Sequence, residues 1–164
     1  MKKIVVSLGA LFVTATLINW ALTPTANSID AETTLIKQIG MYEEGFDRLD
    51  DGTYRVAART AMPGVSAQMV RWWFATYLQT TEHYKSWHPT AHVWMDWENK
   101  KPGAIIGASH LVHEYIGKDL LKLRIQFVDP TEFFGYNPND ENTFVICARV
   151  GELETSINTG KMCH

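Results

Sequence analysis

At 164 residues, with 46% hydrophobic residues, 20% charged residues and a formal net charge of −3, the chain has the balance of a folded globular domain, which excludes wholesale disorder. So small a net charge also excludes the basic footprint of a nucleic-acid binder. The length carries one domain with a full core, or two small ones, and two cysteines, Cys147 and Cys163, are too few for a disulfide framework or a four-thiolate metal site.

In chain order, residues 1–28 come first. Lys2 and Lys3 precede an apolar run from Ile4 to Leu22, and Ala26, Asn27 and Ser28 supply small residues for cleavage. That is the pattern of a secretory signal peptide. The apolar run also approaches the roughly 20 residues that span a bilayer, so an uncleaved membrane anchor is the alternative. A cleaved leader predicts a secreted or periplasmic protein, and a retained one predicts a membrane-anchored protein. Residues 29–52 read as a short helix or an extended lead-in, and residues 53–164 as the folded domain.

Thr53–Thr60 has the composition of a strand, and Met62-Pro63-Gly64 breaks the chain after it. Ser66 is a good N-cap for a helix over Ala67–Leu78, which is apolar on most sides and therefore buried. The polar stretch Thr80–Pro89 carries His83 and His88. Ala91–Trp97 and Ala104–Ile116 are predicted strands around turn material at Asn99–Gly103. Leu121, Leu123, Ile125 and Phe127 alternate with Lys122, Arg124 and Gln126, so Leu120–Val128 is a half-buried strand. Asp129–Asn142 is a loop, Thr143–Val150 another strand, and Glu152–Thr155 the start of one more. Strands joined by short turns make an antiparallel sheet, and with a few helices the fold class is α+β. No glycine-rich phosphate loop is present.

Five of the six histidines lie between His83 and His113, interleaved with Glu82, Asp96, Glu98 and Glu114. Imidazole nitrogen with carboxylate oxygen is a natural zinc or iron ligand set; the other reading is a group of ordinary hydrogen-bonded core histidines. The spelling HLVHE does not match the metalloprotease helix motif. On a strand, His110, Val112 and Glu114 share one face, and His113 and Tyr115 the other. If Glu98 pairs with Gly103, position 114 faces position 87, which brings the segment of His83 and His88 to Glu114. One of these two histidines with Glu114 is then the best metal pair, and His92 is a strand residue able to support a ligand. The tryptophans Trp72, Trp73, Trp87 and Trp94 read as core, or as a wall for a flat ligand.

The stretches TEHYKSWHPTAHVW and IIGASHLVHEYIG, with MPGVSAQMVRWWF upstream and KLRIQFVDPTEFFG downstream, resemble the family of 2,4-diacetylphloroglucinol hydrolase and phloretin hydrolase from about Tyr54 onward. The resemblance implies a helix-grip, birch-allergen-like domain, with a curved antiparallel sheet around a ligand cavity. It also implies zinc-dependent hydrolysis of a carbon–carbon bond between an acyl group and a phenolic, phloroglucinol-type ring, in a small aromatic ketone substrate. It assigns the metal to His83 and Glu114, favouring His83 over His88. His88 and Tyr84 become candidates for acid–base catalysis, and Trp87, His92 and His110 candidates for substrate contact. A homodimer is a further expectation. Ala91 stands where the family often has Asp. No His-x-x-x-Glu segment follows Glu114 to supply the family's remaining ligands, so the chain reads as the incomplete N-terminal part of such a domain. The alternative functions are a non-catalytic aromatic-ligand-binding domain or an inactive fragment.

Overall fold

A computed structural model describes residues 5–9, 45–155 and 158–164. The leader expected over residues 1–28 lies outside these, apart from a strand β1 at Val5–Gly9. Of the lead-in, residues 45–52 are described, as strand β2 at Gly45–Arg48 and the turn after it. Both strands flank β3, Tyr54–Ala61, in an antiparallel sheet of order β1-β3-β2. Among the described residues no helix is long and apolar enough to cross a membrane.

After β3 the chain enters α1, Ala67–Trp72, where Ser66 Oγ accepts the N–H of Met69 at 3.2 Å and so satisfies one of the amides that a helix start leaves bare. The predicted single helix continues as a π turn over Trp73–Tyr77. Trp97 Nε1 donates to the Leu78 carbonyl at 2.8 Å and closes that end. The polar stretch carrying His83 and His88 contains a helix, α2, Thr81–Trp87, with Thr80 Oγ1 accepting the N–H of His83.

The second sheet runs β4 (His92–Glu98), β5 (Ser109–Ile116), β6 (Asp119–Val128), β7 (Cys147–Glu152) and β8 (Asn158–Cys163), all neighbours antiparallel. The antiparallel α+β class is as expected, with the strands in two open sheets. The alternation in β6 places Leu123, Ile125 and Phe127 in the core. They meet Met95, Val112, Ala148 and Val150 from the other strands, and Ala75, Leu78 and Tyr84 from the helical segment above. A short helix α3, Thr131–Phe134, interrupts the expected 129–142 loop and buries Phe133 and Phe134. Glu152–Thr155 is a turn rather than the start of a strand, and β8 begins at Asn158.

The β4–β5 register corrects the sequence reading. Glu98 pairs with Ser109, not Gly103, and Glu114 lies opposite His92, not position 87. The segment from 99 to 108 is not a tight turn. Ile105 and Ala108 fold into the core, Gly107 N–H bonds the Phe127 carbonyl at 2.9 Å, and Ala108 O accepts the N–H of Phe127 at 2.9 Å. Burial of these two side chains draws the predicted start of the strand into a loop, so β5 begins at Ser109 and not at Ala104.

Cys147 and Cys163 stand directly opposite on β7 and β8 and are joined as a disulfide. The two lie 16 positions apart in sequence, and breaking this link by Cys163→Ser is expected to destabilise the chain by about 3 kcal/mol, measured as a lower urea midpoint that reductant reproduces in the unmodified protein. A second expectation concerns His110, only 4% exposed, whose burial holds its pKa down at about 3, with His92 a smaller contributor. The unfolded chain takes up a proton near pH 6.5 that the folded one refuses. This contribution to stability is therefore complete above about pH 6.5 and is lost as pH falls toward 3. Urea midpoints measured against pH should show that slope, and His110→Gln should flatten it.

Candidate functional site

Three elements deliver one cluster. On β5 the alternation of side chains turns His110, Val112 and Glu114 toward the helices, as the strand parity predicts. On α2, Tyr84 is the buried residue of its helix, so it points down at the same face. On β4 the register shifts between His92 and Trp94. This irregularity sets His92 across from Glu114, while Met95 still pairs inward with Val112.

Glu114 is the centre. Tyr84 Oη donates to its Oε2 at 2.5 Å, the short distance typical of a hydroxyl on a carboxylate. His92 Nε2 lies 3.8 Å from the same oxygen, and both side chains are 15% exposed. The rings of Tyr84 and His92 stack at 3.6 Å and 4°. His92 Nδ1 is 2.8 Å from the Tyr84 carbonyl; a carbonyl only accepts, so Nδ1 carries the proton. Burial lowers the His92 pKa against the opposing pull of that carbonyl and of Glu114, so the ring is neutral at pH 7. Burial, and then the Glu114 charge, raise the Tyr84 pKa, so its phenol remains a donor.

His110 sits beneath this cluster. Its ring stacks on Trp97 at 4.6 Å and meets the Tyr84 ring edge-on at 5.1 Å. Its Nε2 is buried without a hydrogen-bond partner. Trp97 is the residue that sequence reasoning passed over; its position beside His110 follows from the long 99–108 connection, which no local pattern announces.

The remaining expected residues lie around this centre. His83 stacks on Tyr77 at 4.2 Å and accepts the Gln79 N–H at Nδ1 at 3.4 Å. Among the described residues, no hydrogen bond or ion pair links it to Glu114. His88 is exposed, accepts the Ala91 N–H at Nδ1 at 3.1 Å, and approaches His92 at 5.7 Å between ring centroids. Trp87 packs on Trp73 and Phe74. Trp94 pairs with His113 on the opposite face of the hairpin, so the four tryptophans do not form one wall. A cavity of about 450 Å³ lies apart from the cluster, lined by Arg71, Trp72, Ala104, Phe127, Phe144 and Cys147 among others; of the four tryptophans it takes Trp72 alone, and it includes none of the residues expected for metal, catalysis or substrate contact.

The donors at the cluster suit a zinc-type cation in kind. Both contacts of the carboxylate among the described residues fall on Oε2, and the neutral His92 ring carries an unprotonated Nε2 beside that oxygen. Among the described residues, no group of three or more His, Cys, Asp or Glu side chains converges closely enough to hold a metal. The cluster therefore supplies part of a coordination shell.

Comparison with known proteins agrees with the sequence motifs. The chain is 31% identical over 97 residues to 2,4-diacetylphloroglucinol hydrolase of Pseudomonas protegens, covering 54% of this chain and 32% of that protein. It is 29% identical over 125 residues to phloretin hydrolase of Eubacterium ramulus, covering 66% of this chain and 44% of that protein. The chain thus spans between a third and a half of the length of these relatives. A family model described as the DAPG hydrolase PhiG domain matches residues 27–164, and the chain belongs to that family.

Proposed function

We propose that the chain contributes the Glu114 side of a zinc-dependent hydrolase site, acting on the carbon–carbon bond between an acyl group and a phenolic ring. The observation that carries this reading is the hydrogen bond of Tyr84 to Glu114 beside a neutral His92, found at the position that the family resemblance marks for a metal. A carboxylate held at one oxygen presents the other in a defined direction. His83, at the start of α2, is the second ligand that the resemblance implies.

A zinc ion held there would supply Lewis acidity to a substrate carbonyl oxygen. The chain's residues answer the rest of the reaction. Hydrolysis adds water oxygen to the acyl carbon; the carbon–carbon bond breaks with its electron pair passing to the ring carbon, which must take a proton. His88 is the proposed acid–base residue: the proton for the ring carbon comes from its imidazolium form, which returns to the neutral ring as it gives the proton up. Tyr84, the other candidate for acid–base work, spends its proton on Glu114 and keeps the carboxylate in place. Trp87 and His92 are the proposed substrate contacts; His110, the third expected one, is buried beneath them with its Nε2 shut in and supports the cluster by packing. A small aromatic ketone such as 2,4-diacetylphloroglucinol or phloretin is the substrate class, and a homodimer the proposed assembly.

The cavity near Trp72 and Phe144 favours a second reading, an aromatic-ligand-binding domain without catalysis. The Cys147–Cys163 disulfide supports placing the chain in an oxidising compartment, secreted or periplasmic after leader cleavage, with a membrane-anchored form as the alternative.

The test is release of carboxylic acid from 2,4-diacetylphloroglucinol or phloretin by the zinc-supplemented protein. Glu114→Gln and His83→Ala should each abolish release, and chelation should abolish it reversibly. Stoichiometric binding of either ketone without turnover or zinc uptake would select the binding reading. Tyr84→Phe keeps the ring and removes the bond to Glu114. It should weaken zinc affinity by about 10- to 100-fold, measured by competition with a chromogenic chelator, with an unchanged far-ultraviolet spectrum.

A further inference from the structure

The chemistry at Glu114 makes no use of the cavity of about 450 Å³, whose size falls in the range of small-molecule sites. One stripe of the helical segment lines it: Gln68, Arg71, Trp72, Ala75 and Thr76, at the spacing of neighbours on a helix face. Ile105, Phe127, Phe144 and Ile146 add apolar wall. These walls are fastened to one another. Lys100 ties the Ala75 carbonyl to that of Ala104, and Asn139 exchanges two hydrogen bonds with the Val145 backbone, at 3.1 and 2.5 Å. Trp72 and Ile106, which also line the cavity, are 51% and 58% exposed, so it opens to solvent.

The charge of this space is one-sided. Among the described residues that line it there is no Asp or Glu, and Arg71 is the one formal charge. Its guanidinium lies over the Phe144 ring at 4.6 Å, and among the described residues no carboxylate pairs with it. A guanidinium stacked by its face keeps the N–H groups of its edge for an acceptor, and a cation set among apolar walls calls for a counter-charge. We propose that the cavity binds an aromatic carboxylate, with the ring on the apolar walls and the carboxylate on the Arg71 fork. An inorganic anion would answer the charge and waste the walls; a neutral ring would fill the walls and leave the charge unanswered. The proposal rests on the ligand-binding reading of the cavity given above, and it stands whether or not Glu114 serves a reaction.

The test is calorimetric titration of the unmodified protein with trans-cinnamate, and with cinnamamide as its uncharged counterpart. Cinnamate should bind at one site, about tenfold or more tighter than the amide, with nuclear Overhauser contacts from its ring to Phe127 and Ile146. Arg71→Gln should weaken cinnamate binding by about 10- to 100-fold and leave the amide unchanged, with an unaltered far-ultraviolet spectrum. Arg71→Lys, which keeps the charge and loses the fork, should fall between. If the amide binds as tightly as the acid and neither substitution matters, the carboxylate assignment is overturned and the ligand-binding reading stands. If neither compound binds, or the contacts fall outside the cavity, both are overturned.

Discussion

The hydrogen bond from Tyr84 to Glu114 is the constraint from which the rest of the site follows. It joins a short helix to a central strand of the larger sheet, across a distance in sequence that only the folded chain closes. A helix as short as α2 has little stability alone. Its place is set by burial of Tyr84 against the sheet and by the cap at Thr80. With the phenol anchored on the carboxylate, the Tyr84 backbone carbonyl orients His92, and the Tyr84 ring covers both His92 and His110. One side chain thus sets the direction of a carboxylate, the tautomer of one histidine and the packing of another.

The cluster is half-open, and that balance matters chemically. Full burial of a carboxylate without a charged partner is costly, whereas full exposure would screen its attraction for a cation. Glu114 and His92 are each 15% exposed at the side chain, so the carboxylate is partly desolvated yet reachable. His110, below them, is buried against the rings of Tyr84 and Trp97, and burial keeps it neutral, adding no competing charge to the space above it.

Much of the framework was legible in the sequence because it depends on periodicity. The alternation along β6 and the common face of His110, Val112 and Glu114 follow from the two-residue repeat of a strand, and both hold. Other features depend on long-range packing and left no local trace. The β4–β5 register was misplaced because Ile105 and Ala108 look like strand residues, yet they are buried from a loop. The helix at Thr81–Trp87 was hidden because Tyr84 is its single buried residue, too few to set up a period. The pairing of His92 with Glu114 required an irregular register, which no spacing rule contains. The family motifs cover the segments that carry Tyr84, His92, His110 and Glu114, but the wiring of these residues through Tyr84 is set by long-range packing that no motif spells.

Lys100 has a consequence of its own. Its ammonium donates to the carbonyl of Ala75, in the π turn, and to that of Ala104, in the loop opposite, at 2.7 and 2.5 Å. Ala75 and Ala104 both line the large cavity, and the same ammonium rests over the Trp97 ring at 5.1 Å. Lys100 is therefore a rivet shared by two compartments. An occupant that wedged the π turn from the loop would strain this fastening, and the strain would reach the indole on which His110 lies.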